Sequence, residues 1–386
     1  MSAPVVVTGI GVVSPFGWTA EAFWDGLVAG RSALAPVRRF ASRAPGRLSG
    51  EVPARATGEL ARSPVGRRMD WTSLMALGAC RLALADAGLA ADAVPGERMS
   101  LALGSAYGNL QETATFLDRL FARGIGNPLL FPNMVFNAPL SYVSIELDIR
   151  GETSMLSMLE VSGEAAIAWG VDAVASGRAE ACLAGGVDEL GEVLHRVLEA
   201  GGELAAGAPR PFGADADGVA TGEGAGVLVL ERLDDARARG ARIHARIRAP
   251  LGCSVPAPVH GWPRDAAALA ARLVPAVRDA DAVFASASGS PSHDAIEAEA
   301  LMRVTHAPVT ALRGALGDFG AAGALVAAAA ARAVAAGTIP PTLGLGAPRA
   351  ALDVVRGTAR QTPLRSAVVT GLARGGLVRM LRFDAV

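Results

Sequence analysis

The stretch Gly151-Glu-Thr-Ser-Met-Leu-Ser-Met-Leu-Glu160-Val-Ser-Gly163, running on into Glu164-Ala-Ala-Ile-Ala-Trp-Gly-Val-Asp-Ala-Val-Ala-Ser176, decides how this chain is read. It predicts an apolar strand, a sharp turn, then a helix closed by Gly177. A side chain on such a turn stands exposed at a helix N-terminus, where partial positive charge favours an anion. That is where a fold mounts a thiolate nucleophile. In this sequence the residue on the turn is Glu160, a carboxylate.

Outward from the turn, the pattern repeats. Ser100-Leu-Ala-Leu-Gly-Ser-Ala-Tyr-Gly108 is similar to Asp281-Ala-Val-Phe-Ala-Ser-Ala-Ser-Gly289. The helix after Gly163 has a counterpart in the Ala-rich run after Gly320, and Ala181 to Gly186 has one in Ser366 to Gly371. The strands are short continuous apolar runs, which suits sheets covered on both faces. Helices rich in Ala permit close approach in a central layer. A length of 386 residues accommodates two fused halves. The junction is placed near Ala236 to Gly240, giving halves 1–238 and 239–386. Pro36 to Val65 and Leu251 to Pro263, both Pro- and Gly-bearing, read as loops.

Composition removes several function classes. The formal net charge is −1, so nothing points to nucleic acid or a membrane surface. Every basic residue other than histidine is arginine. Cys80, Cys182 and Cys253 lie far apart, without paired or metal-ligand spacing, and Cys80 and Cys182 read as buried small hydrophobes. No cofactor or metal site is expected. The N-terminus enters a Val-rich strand without a basic region, unlike a signal peptide, so a cytoplasmic protein is expected. Gly320 to Gly337 is apolar, but Arg332 and the low hydrophobicity of Ala argue for a buried core helix rather than a membrane span.

The motifs, in order, resemble the β-ketoacyl synthases across essentially the whole chain. Val5-Val-Val-Thr-Gly-Ile-Gly-Val-Val-Ser-Pro15 looks like that family's opening strand. Ala181-Cys-Leu-Ala-Gly-Gly-Val-Asp188 matches its Ala-Gly-Gly strand end. The most specific match is Arg210-Pro-Phe-Gly-Ala-Asp-Ala-Asp-Gly218 with Gly222-Glu-Gly-Ala-Gly-Val-Leu-Val-Leu-Glu231. The resemblance implies an α/β thiolase-type fold of five alternating αβαβα layers, built from two halves related by a pseudo-twofold. It also implies that Glu160 stands where the family carries its catalytic cysteine. Ser286, in Ala285-Ser-Ala-Ser-Gly-Ser-Pro291, takes the first histidine position. The second falls on Asp318 when Arg313 is placed on the family's lysine, or on Gly317 without a gap. Arg374 takes the position of the gating phenylalanine.

Condensation needs a thiolate to hold the acyl chain and donors to stabilise the enolate, a task suited to imidazole. Neither alignment restores an imidazole. His195, His244, His260, His293 and His306 lie elsewhere and read as surface or loop residues. Glu160 has two readings. One is a carboxylate that accepts hydrogen bonds from the helix N-terminus and fills the old acyl site, with Arg313 or Arg374 as its partner, since a buried carboxylate must be paired or neutralised. The other, which is preferred, is one member of a polar plug with no role beyond packing.

A full-length scaffold without its triad resembles the chain-length factors of type II polyketide synthases. The resemblance implies a non-catalytic subunit in a heterodimer with an active ketosynthase, shaping the tunnel in which a chain grows on an acyl carrier protein. Those factors in aromatic systems usually carry glutamine at the Glu160 position. That departure and the compact chain favour a divergent branch, such as one making reduced polyene chains. Asn109 to Phe121 reads as a helix with Leu110, Thr113 and Leu117 at i, i+3 and i+7 on one face. These match the family's tunnel gate, and Phe136 matches a residue near the twofold; ordinary interface core is the commoner explanation for such a stripe. The alternatives are a malonyl-carrier-protein decarboxylase or loading subunit, a condensing enzyme with another nucleophile, and a purely structural carrier-protein docking partner. The decarboxylase would still need enolate donors.

Overall fold

The run Val5-Val-Val-Thr-Gly-Ile-Gly-Val-Val13 forms β1 (Val5–Val13), buried at every position. Its two glycines admit a helix: a Cβ on Gly9 or Gly11 would stand 2.2 Å from the Ala83 carbonyl or 1.9 Å from that of Ala79. Both carbonyls belong to α1 (Trp71–Asp86), which Asp70 caps by accepting the Ser73 N–H at 2.8 Å. This is a computed structural model, and it describes residues 3–43, 47–55, 60–64, 66–90, 93–349 and 351–386.

The first half continues with β2 (Met99–Gly104), α2 (Leu110–Arg123), α3 (Ala138–Glu146), β3 (Thr153–Leu156), α4 (Ser162–Ala175), β4 (Ala181–Asp188), α5 (Glu192–Ala200) and β5 (Gly224–Arg232). The second contains β6 (Ala245–Ile247), β7 (Leu251–Ser254), α6 (Ala266–Val277), β8 (Ala282–Ala285), α7 (Pro291–Met302), β9 (Val309–Ala311), α8 (Ala322–Ala336), β10 (Ser366–Leu372) and β11 (Leu377–Asp384). The strand order is β9-β8-β10-β11-β6-β1-β5-β4-β2-β3, with β7 also on β11. The halves mirror each other. β2 lies parallel between β3 and β4, with Leu101 opposite Thr153 and Leu183. β8 lies parallel between β9 and β10, with Val283 opposite Val309 and Val368. Each block is then closed by an antiparallel strand, β5 on β4 and β11 on β10. The short β6 pairs with both β1 and β11, stitching the halves together.

Three apolar clusters give the layers. One lies between α1, α3 and the outer face of the first sheet block. A second, rich in alanine, holds α4 and α8 between the blocks. A third joins α6 and α7 to the far face of the second block. Small residues let the central helices meet closely: a Cβ on Gly163 would stand 2.9 Å from that of Ala324. The five-layer stack is thus present, and the Ala-rich run is the buried helix α8. Among the described residues no helix is long and apolar enough to cross a membrane.

Three local expectations are corrected. The helix after the turn begins at Ser162 rather than Glu164, because the Ser162 hydroxyl donates to the Leu159 carbonyl at 2.7 Å and accepts the Met158 N–H at 2.9 Å. The stretch Leu251 to Pro263 is not all loop, since β7 pairs along β11 from Leu251–Met380 to Ser254–Leu377. The expected loop Pro36 to Val65 carries the short strands Ala35–Pro36 and Leu48–Gly50, while residues 44–46, 56–59 and 65 lie outside the described residues. The expected junction between the halves falls at the end of a short helix, Leu233–Ala238, followed by Gly240 in a left-handed conformation at φ +70°.

Candidate functional site

The chain leaves β3 through a turn in which Leu159, a non-glycine residue, has φ +52°. Such backbone costs free energy and persists where its surroundings enforce it. It turns Glu160 inward. The side chain is buried, 8 % exposed, contrary to the exposed position expected from the sequence. Its ion-pair partner is Arg374. Oε2 accepts the Arg374 N–H at 3.1 Å, and Oε1 lies 3.8 Å from the Arg374 guanidinium. Burial raises the Glu160 carboxyl above its ordinary range, and the Arg374 charge and hydrogen bond offset part of this.

Arg374 fastens this side chain to its surroundings. Its guanidinium also pairs with Glu203 and lies over the Trp262 ring, 5.4 Å from the centroid. The Arg374 loop is tied to the Trp262 loop by Gly375 N–H donating to the Gly261 carbonyl at 2.9 Å. Trp262 and Arg374 line both an outer cleft of about 710 Å³ and an inner cavity of about 40 Å³. The inner cavity is also lined by Tyr107, Glu160, Asp318 and Phe319. Pockets that hold drug-sized ligands span roughly 300–1,000 Å³, so the inner space takes a few waters and no acyl chain.

Of the two positions proposed for the second histidine, Asp318 lines the inner cavity. Gly317 sits in a left-handed turn at φ +89°, where a Cβ would stand 2.7 Å from Gly222 Cα. Arg313 pairs with Asp318, Nη1 to Oδ1 at 2.7 Å, and not with the Glu160 carboxylate; its Nη2 reaches only the Glu160 carbonyl, at 3.4 Å. Arg313 is fully buried. Burial acts to lower its pKa, but Asp318 and Glu164 outweigh that and hold it above the usual arginine value.

The histidines differ most from expectation. His195 and His244 are buried, bonded to Thr221 Oγ1 at 2.9 Å and Asp86 Oδ2 at 2.7 Å, while His260 and His306 are exposed. His293 is on helix α7, not in a loop, and is buried. Its Nε2 lies 3.0 Å from Ser286 Oγ. An imidazole thus stands beside Ser286, presented from one turn into the following helix. Ser286 Oγ donates to Glu297 Oε1 at 2.9 Å, which leaves it to accept from His293 Nε2–H. Burial lowers His293 well below its ordinary value, and Arg313 and Arg374 add to this, so the ring is neutral. It stacks on Trp262 with centroids 4.2 Å apart. The cue lay in Pro291, which suits the first turn of a helix, with His293 and Glu297 then four apart on one face.

The other expected positions lie on and beside α2. No residue of α2 is buried: Leu110 and Thr113 are half-buried and Leu117 is exposed. Phe136 packs on Gly108, immediately before α2; a Cβ there would stand 2.6 Å from its ring. Cys80 and Cys182 are buried, with thiols pushed up by burial, and Cys253 is half-buried and also raised. Among the described residues no cluster of His, Cys, Asp or Glu could hold a metal ion.

The profile of the β-ketoacyl synthase N-terminal domain matches residues 2–236, and that of the C-terminal domain matches residues 264–346. The chain belongs to the β-ketoacyl synthase family. It is 31% identical over 407 residues to the tetracenomycin polyketide synthase ketoacyl synthase alpha subunit of Streptomyces glaucescens, covering 96% of this chain and 95% of the relative. Among solved structures, the ishigamide ketosynthase/chain length factor superposes with TM-score 0.92 at 29% identity, each chain fully covered. A β-ketoacyl synthase from Burkholderia phymatum superposes with TM-score 0.89, also at 29% identity and full coverage. The fold is therefore the thiolase-like ketosynthase fold, and the relatives tie this family member to type II polyketide ketosynthases and chain-length factors.

Proposed function

We propose that this chain is a non-catalytic chain-length subunit, which pairs with an active ketosynthase and shapes the tunnel for a chain carried on an acyl carrier protein. The observation that carries this reading is the plugged turn. Where the family resemblance puts the acyl-bearing cysteine, a buried carboxylate is clamped by Arg374 in about 40 Å³ of space. A carboxylate paired in this way forms no acyl thioester, and no cysteine lies at the cavity. The same lack of room counts against a malonyl decarboxylase, whose substrate would have to sit beside Glu160. Pairing is supported by the exposed apolar side chains that cluster between Leu117 and Ile145 and by the open edge of β3 beside them.

The test uses the purified chain with acyl- and malonyl-carrier protein, alone and with a type II polyketide ketosynthase that carries an intact cysteine and both histidines. Alone, intact mass should show no acyl adduct and no elongated product should form. With the ketosynthase, the two should co-elute as a heterodimer that makes product. An acyl adduct on any cysteine, or a monodisperse monomer that ignores the ketosynthase, would sink the reading.

A further inference from the structure

Helix α2 lacks a cap of its own. Asn109 stands at the N-cap position but makes no capping bond. Its side-chain amide donates instead to the Asn133 carbonyl at 2.6 Å, in the segment that carries Phe136. The first-turn N–H groups of a helix have no partner within it and need one from elsewhere. For Gln111 that partner comes from across the fold: Glu189 Oε1 accepts its N–H at 3.0 Å. Glu189 is nearly buried, at 9 % exposure. The Gln111 side chain completes the link by accepting the Glu192 N–H at 3.0 Å.

Glu189 is itself held firmly. On one side Asp188 accepts from Ser105 Oγ at 2.5 Å, from Ala106 N–H at 3.1 Å and from Ala321 N–H at 2.7 Å. It thereby joins the loop before α2 to the start of α8. On the other side the Leu190 N–H donates to Glu223 Oε2 at 3.0 Å. The segment from Asp188 to Leu190 is therefore a fixed point in the buried interior, and Glu189 extends from it to the root of α2.

We infer that Glu189 is a positioning residue that caps α2 from outside the helix and so fixes the face bearing Leu110, Thr113 and Leu117. The consequence for chain length rests on the reading of that face as the tunnel gate. A carboxyl or carboxamide oxygen serves equally as the acceptor, so Glu189→Gln keeps the cap, whereas Glu189→Leu and the smaller Glu189→Ser remove it.

Hydrogen exchange by mass spectrometry on the full chain, alone and in the reconstituted heterodimer, reads the helix directly. Loss of a cap bond should speed exchange over residues 111–114 by about tenfold in Glu189→Leu and Glu189→Ser, since tenfold corresponds to 1.4 kcal/mol and caps contribute about that much. Glu189→Gln should exchange like the parent. In the heterodimer the two uncapped variants should give a broader, longer product distribution with ketosynthase pairing unchanged. Unchanged exchange in both uncapped variants overturns the inference. Faster exchange with unchanged chain length upholds the cap but overturns its link to length, and with it the assignment of α2 as gate.

Discussion

At the scale of the residue, the cavity at the turn is lined by paired charges. Glu160 and Glu203 share the Arg374 guanidinium, and Arg313 pairs with Asp318 in the cavity wall. Glu164 is less well served. It is fully buried, neither carboxylate oxygen has a hydrogen-bond partner, and it packs against Gly323, where a Cβ would stand 2.0 Å from its carboxyl. Burial pushes it up to about 7, against the charge of Arg313. A carboxyl raised on folding contributes stability below its unfolded value, near 4.5, and loses it as pH rises through 7. Glu164→Gln should remove that loss. Unfolding free energies at pH 6 and 8.5 should converge in the variant, whose stability should exceed the parent's at pH 8.5 by on the order of a few kcal/mol. An equal fall with pH in both proteins would show that Glu164 is not the titrating group.

At the scale of the element, α2 matters most. It has no buried residue: Leu110 and Thr113 are half-buried and Leu117 is exposed. Thr113→Trp or Leu117→Trp should shorten the products of the reconstituted synthase, because overpacking a closed cavity costs about 1–3 kcal/mol. Leu117→Ala should lengthen them where tunnel depth sets the limit. Product distributions, with heterodimer formation checked in parallel, decide the matter. Unchanged lengths in variants that still pair would make the stripe interface core.

At the scale of the whole molecule, eight of the fourteen exposed large apolar side chains among the described residues lie between Leu117 and Ile145. They include Phe121 at 83 % and Phe131 at 58 % exposure, too large a concentration for chance scatter. Strand β3 ends the sheet beside them, an open edge that natural proteins usually pair or cover. Obligate interfaces commonly bury more than about 2,000 Å² in total and are apolar. Expressed alone, the chain should therefore self-associate. Phe131→Glu should weaken ketosynthase binding by about thirtyfold or more, the effect of losing an interface hot spot. Light scattering and titration calorimetry read these two outcomes, and undiminished binding by the Phe131 variant would move the interface elsewhere.

The sequence by itself determined the layers and the strangeness of the turn. Continuous apolar strands, Ala-rich helices and the duplicated order of elements specify a doubled α/β stack, because side-chain periodicity and small-residue packing are local properties of the chain. Glu160 on its turn was equally legible. Only the tertiary structure decided which charges meet. Arg374 lies 214 residues from the Glu160 carboxylate it binds, and Glu189 lies 78 from the helix N–H it caps. His293 is close in sequence to Ser286, yet its ring meets the hydroxyl only because α7 begins at Pro291 and turns it inward. Hydrogen bonds and ion pairs depend on positions fixed to within about 0.5 Å, and a pattern of residue types carries no such distances.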